Sequence, residues 1–161
     1  MRQPALPAPS RPLLVAAARM LGLAVLLPAS LMAGCSAPAD ASSSERAAVT
    51  ATVHRYFKGH ITGIGDHYKQ AFHPEAKLFS VKDGKLAIVT RDEFAARATG
   101  KPAADEAKRV RRIVSVDIAG DAAMAKVELD YPDVRFVDYL SLLKLDGSWV
   151  IVNKIFHREA R

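Results

Sequence analysis

An α+β fold, with helices set against one antiparallel sheet, is predicted by three features of the sequence. Apolar residues recur at helical spacing early in the folded region, between Val49 and His60. From Val110 onward the period shortens to two, the spacing of a half-buried strand. Three turn dipeptides, Asp83-Gly84, Gly120-Asp121 and Asp146-Gly147, each divide two strand-like runs. Helices segregated from a run of consecutive strands indicate this class rather than an alternating α/β design.

In "ERAAVTATVHRYFKGH", Val49, Val53, Tyr56, Phe57 and His60 line one apolar, aromatic face. Ser42-x-x-Glu45 reads as a capping box opening this helix, and Gly59, Gly63 and Gly65 as its end. Asp66 is placed to cap a short second helix, "HYKQAF", stopped by His73-Pro74. "KLFSVKDGKLAIVT" is a hairpin, and Thr90-x-x-Glu93 is a second capping box opening "RDEFAARAT". Lys101 to Arg109 is a charged connection containing a proline.

"VRRIVSVDI" and "AAMAKVELDY" flank Gly120-Asp121. A two-residue loop there pairs Arg111 with Asp130 and Ser115 with Lys126 on one face. Val114, Val116, Ala125, Val127 and Leu129 take the other face, with Arg112 and Tyr131 at one end. The same reasoning at Asp146-Gly147 sets Leu145 opposite Ser148, Asp138 opposite Ile155 and Asn153 opposite Leu140. Phe136, Asp138, Leu140, Leu142, Trp149, Ile151 and Asn153 then share a face, with Tyr139, Leu143, Val152, Lys154 and Phe156 on the opposite one. Both faces are largely apolar, so one is expected to meet the helices and the other a partner subunit or a membrane-proximal surface.

The first 34 residues read differently. Arg2, Arg11 and Arg19 come without an acid, and "LGLAVLLPASLMAG" follows, ending at the only cysteine, Cys35. Such an apolar stretch is shorter than the ~20 residues of a spanning helix, and the pattern is that of an export signal. "LMAGCS" resembles the lipobox of bacterial lipoproteins, with Met32 where leucine is usual. That resemblance implies lipidation at Cys35 and, with Ser36 following, the periplasmic face of the outer membrane. An ordinary signal peptide, releasing a soluble periplasmic or secreted protein, is the alternative. Residues 1–34 are thus expected as signal, 35–44 ("SAPADASSS" at its heart) as a flexible tether, and 45–161 as the domain. Without residues 1–34, which carry three arginines, the formal charge of +6 falls to +3. No basic stripe of the kind nucleic acid requires remains.

The order of elements, with "FHPEAKLF", the Asp-Gly hairpin and the "DYLSLLKLDGSWVIVNK" tail, resembles the nuclear transport factor 2-like superfamily, and within it the lumazine-binding branch. The resemblance spans Glu45 to His157. It implies a cone: a strongly curved antiparallel sheet wrapped around the long first helix, with two shorter helices, enclosing a pocket. It also implies a tendency to form homodimers, here through the outer sheet face.

Asp138 is the sharpest candidate, because a carboxylate among Phe136, Leu140 and Trp149 must be hydrogen-bonded or protonated. It serves as a ligand anchor, as a general base, or as a structural bond to Tyr or Asn. Asn153 offers a donor and an acceptor to a ligand edge, Trp149 a stacking surface, and Tyr56 a hydroxyl aimed inward. Arg112 and Tyr131 would close one end of the pocket, although an arginine there also reaches solvent. The five histidines show no HExxH or i, i+4 pair, and no nucleotide-binding loop is present, so neither metal nor cofactor is expected. The expected function is a lipid-anchored binding domain for a small, flat organic molecule in a mostly apolar pocket. The alternatives are a cofactor-free isomerase, dehydratase or cyclase with Asp138 as base, and a dimerising scaffold whose cone Phe72 and Trp149 fill.

Overall fold

A computed structural model describes residues 37–161. The expected signal and the lipidation candidate Cys35 lie outside the described residues. Helix α1 (Ala37–Thr62) and helix α2 (Gly65–Ala71) lead into strands β1 (Phe72–Lys82) and β2 (Lys85–Thr90). Helix α3 (Arg91–Ala96) and a single 3-10 turn (Glu106–Lys108) follow, then β3 (Val110–Ala119), β4 (Ala122–Tyr131), β5 (Val134–Leu145) and β6 (Ser148–Ala160). The six strands form one curved sheet in the order β2-β1-β6-β5-β4-β3. Every pairing is antiparallel except β1 with β6, which the connection through α3 makes parallel. Among the described residues no helix is long and apolar enough to cross a membrane.

Local chemistry explains most boundaries. Asp83 and Gly84, and again Asp146 and Gly147, all adopt positive φ, as the tight hairpin turn between twisted strands demands. At α3 the Thr90 hydroxyl accepts from the Glu93 amide while the Glu93 carboxylate accepts from the Thr90 amide, a complete capping box. Pro74, which has no amide hydrogen, falls where the β1–β6 register shifts between Phe72 and Lys77.

The expected start of α1 is corrected. The helix begins at Ala37, so residues 37–44 are helical, and Ser42-x-x-Glu45 is not its N-terminus. Alanine is the best helix former and Pro38 falls in the first turn, where its missing amide is harmless. Glu45 instead accepts hydrogen bonds from the Trp149 indole (2.7 Å) and from Lys144 (2.6 Å). About two turns further on, the Thr52 hydroxyl donates to the Trp149 carbonyl at 3.0 Å. These bonds seat α1 on β6. Val49, Val53, Tyr56 and Phe57 then bury against Ala125, Val127, Leu129, Leu140, Leu142 and Ile151 of the sheet.

Two β-bulges overturn the expected registers. Near its turn the last hairpin pairs as expected, Leu145 with Ser148 and Leu142 with Ile151. Val152 is then an extra residue, and beyond it Ser141 pairs with Asn153, Leu140 with Lys154 and Asp138 with Phe156. In β3, Ser115 pairs with Lys126 as expected, but Val114 is extra, so that Arg111 pairs with Leu129 and Arg112 with Glu128. Because side chains alternate sides, one inserted residue reverses every face beyond it. Lys154 and Arg111 turn inward; Asn153 and Arg112 turn outward.

Candidate functional site

The bulge at Val152 delivers a lysine to a carboxylate. Asp138, on β5, is completely buried, and its Oδ2 accepts from the Tyr56 hydroxyl of α1 at 2.6 Å. Lys154 Nζ, on β6, donates to the same oxygen at 3.1 Å and to the Tyr56 oxygen at 2.9 Å. Tyr56, Asp138 and Lys154 therefore form a closed triangle contributed by three elements. The ammonium also lies over the rings of Phe156 (4.5 Å), Tyr56 (5.2 Å) and Phe94 (5.3 Å), whose faces favour a cation.

Around the triangle stands an aromatic wall. Tyr56 meets His60 edge-on at 4.8 Å and Phe72 at 5.6 Å; Tyr68 and Phe94 are 4.5 Å apart. Phe94, Phe136 and Phe156 are only partly buried, so the wall is thinnest there. Two buried polar atoms within this region lack a protein partner: Oδ1 of Asp138 and Nε2 of His60. Such atoms are rare in native interiors, because an unmade hydrogen bond to a buried group costs about 1–3 kcal/mol.

Burial sets the protonation states. It raises the Tyr56 hydroxyl well above the ordinary tyrosine range, and the Asp138 charge adds to this, so Tyr56 stays a donor. It lowers Lys154, against the attraction of Asp138. It holds His60 well below the ordinary histidine range, reinforced by the positive charges of Lys154, Arg111 and Arg109. At neutral pH His60 is an uncharged imidazole.

Of the residues singled out in the sequence, Tyr56 and Asp138 come together. Tyr131 lies at one end of the same interior; its hydroxyl accepts from Arg111 Nε at 3.2 Å, and Arg109 stacks over its ring at 4.3 Å. Arg111 is also bidentate to Glu106, at 2.6 and 2.9 Å. Arg112, expected at this end, faces outward and pairs with Glu128 and Asp130. Asn153 likewise faces out, between Ser141 and Lys77. Trp149 is buried but belongs to the Glu45 clamp, about three helical turns of α1 from Tyr56. Lys154, His60 and Arg111 were not singled out. His60 was legible on the apolar face of α1; the other two required the bulges. Among the described residues no group of three or more metal-ligating side chains is assembled.

Residues 44–157 match the family described as "Putative lumazine-binding". The chain belongs to this family. Solved NTF2-like structures share its fold. One from Silicibacter pomeroyi is 32% identical, covering 73% of this chain and 98% of its own, with a TM-score of 0.65. One from Methylobacillus flagellatus is 32% identical over 73% of this chain and 94% of its own, with a TM-score of 0.63. Aldolase FrzH from Cladobotryum sp. is 28% identical over 120 residues, 74% of this chain and 96% of that protein. The lumazine-binding family, the NTF2-like fold and an interior polar site among aromatic rings together indicate a small-molecule-binding domain.

Removing one partner of a buried ion pair leaves the other uncompensated, at about 3–5 kcal/mol. Lys154→Met is expected to lose that much stability in urea unfolding, and the Asp138→Leu/Lys154→Met double variant to recover at least half of it. Additive losses would mean that the two charges are not coupled. His60 gives the second expectation. Its folded-state proton affinity lies below the unfolded value of 6.5, so at acid pH the unfolded chain holds a proton the folded chain refuses. Stability present above pH ~6.5 should fall as pH drops below it, by up to about 1.4 kcal/mol per pH unit. His60→Phe should flatten this slope between pH 6.5 and 5; an unchanged slope would assign it to other groups.

Proposed function

We propose that this chain is a lipid-anchored periplasmic domain that binds a small, flat, hydrogen-bonding heterocycle at the Tyr56–Asp138–Lys154 triangle. The observation that carries this reading is the fully buried carboxylate with one oxygen doubly satisfied and the other unpartnered. An N–H of a ligand would complete Oδ1, a neighbouring carbonyl would accept from Lys154, and Phe94 and Phe156 would sandwich the ring. Alternating N–H and C=O groups on a flat bicycle are what a pteridine-2,4-dione, the lumazine core, presents. Access requires the half-buried rings of Phe94 and Phe156 to swing outward. Calorimetric titration with pteridine-2,4-dione is expected to show binding by the wild-type chain, weakened about tenfold or more in Asp138→Asn, where an amide meets the ligand donor. Equal affinities would sink the assignment of Asp138.

A second reading is favoured by the aldolase relative. A carboxylate beside two hydrogen-bond donors is also the arrangement that removes a proton next to a carbonyl: Asp138 as base, with Tyr56 and Lys154 holding the enolate oxygen. Exchange of a bound ketone's α-hydrogen for deuterium, lost in Asp138→Asn, would distinguish an enzyme from a binder.

The anchor rests on "LMAGCS", and dimerisation on the outer sheet face. Ile88, Phe79, Ile155 and Tyr139 lie in register across β2, β1, β6 and β5, with Ile88 and Ile155 each 52% exposed. A second copy of the chain is the occupant proposed for this row. In a Gram-negative host the wild-type chain should incorporate a palmitate analogue that Cys35→Ser lacks, and the Cys35→Ser protein should sediment as a dimer. A monomer, or an analogue retained without Cys35, would remove the corresponding proposal.

A further inference from the structure

Lys154 serves above as a counter-ion, yet its setting is that of a reactive amine. Of the triangle's three members it alone retains contact with solvent, 4% of its surface against none for Tyr56 and Asp138. Its Nζ has a proton acceptor at 3.1 Å and a hydroxyl at 2.9 Å, and three aromatic rings keep bulk water from it. The chain devotes a bulge to bringing it there, although burying any lysine is costly.

We propose that Lys154 is the nucleophile of a covalent carbonyl-binding site, condensing with the aldehyde or ketone group of a flat or conjugated molecule to form an iminium. This rests on the interior ligand site being real. The resting ammonium passes one proton to Asp138 Oδ2. The freed amine adds to the carbonyl carbon, forming the C–N bond, while the π pair moves to oxygen and is protonated from Tyr56. The added nitrogen gives one of its two hydrogens to the Tyr56 oxygen, Asp138 gives its proton to the hydroxyl, and the C–O bond breaks to release water as the nitrogen pair forms the C=N bond. Overall, an ammonium and a carbonyl become an iminium and one water, with the single positive charge retained beside Asp138. No oxidant or second reactant is required. Asp138 can next take a hydrogen from the adjacent carbon, whose bonding pair neutralises the iminium as an enamine, a carbon nucleophile. Burial, which lowers the proton affinity of Lys154, raises the share of free amine.

The test treats the full wild-type chain with benzaldehyde and sodium cyanoborohydride, which converts an iminium to a stable secondary amine, and maps labelled lysines by peptide mass. Lys154 is expected to be labelled severalfold faster than the exposed Lys82 and Lys85. Lys154→Arg, which keeps the charge but cannot condense, serves as the second measurement and should lose the fast phase. Label on Lys82 and Lys85 but not on Lys154, in a protein that still binds pteridine-2,4-dione, overturns the nucleophile and spares the site. Absence of both overturns the site as well. Label at Lys154 without pteridine-2,4-dione binding supports the nucleophile and replaces the heterocycle by a carbonyl compound.

Discussion

A carboxylate at the centre of this domain must be neutralised, and much of the architecture follows from how that is done. Asp138 is wholly removed from water, where an uncompensated charge would be untenable. One positive group and one hydroxyl reach the same oxygen. Tyr56 can do so only with α1 lying on the sheet in a single rotation and height. Lys154 can do so only if β6 carries one residue more than β5. The site and the fold are therefore coupled: moving the helix or removing the bulge would strand the charge.

The remaining contacts hold that arrangement from its two ends. Glu45 grips Trp149 and Lys144, and Thr52 grips the Trp149 carbonyl, fixing the start of the packed part of α1. At the other end Arg111, turned inward by the Val114 bulge, bridges Tyr131 to Glu106. Between them the interior is closed by rings rather than by backbone. Half-buried phenylalanines, Phe94 on the six-residue α3 and Phe156 within β6, close it on that side.

Membership of the lumazine-binding family and the NTF2-like fold indicates a small-molecule pocket, but a shared scaffold leaves the chemistry to the side chains. Here those side chains set a hydroxyl and an ammonium on one oxygen of a buried carboxylate. That combination suits recognition of a heterocycle, and equally the activation of a carbonyl, the chemistry an aldolase relative brings into view.

Local sequence determined the order of elements, the tight turns, the α3 cap and the apolar face of α1, since each depends on neighbours within one turn or one strand period. It also marked Asp138 and Tyr56, because a charge among apolar residues and a tyrosine on a packed helix face are visible without partners. It extended the expected tether to residue 44, since composition does not register a helix propagating outward from a packed segment. Only the tertiary structure decided which polar residues join Asp138. Val114 and Val152 are ordinary strand residues, and nothing in their type announces that they will be skipped in the ladder. A strict alternation from each turn put Arg112 and Asn153 inside; one skipped residue exchanged them for Arg111 and Lys154. The physical reason is that a bulge reverses the faces beyond it, and the pairing it permits, Lys154 with Asp138 across two strands, is a long-range contact that a one-dimensional period cannot contain.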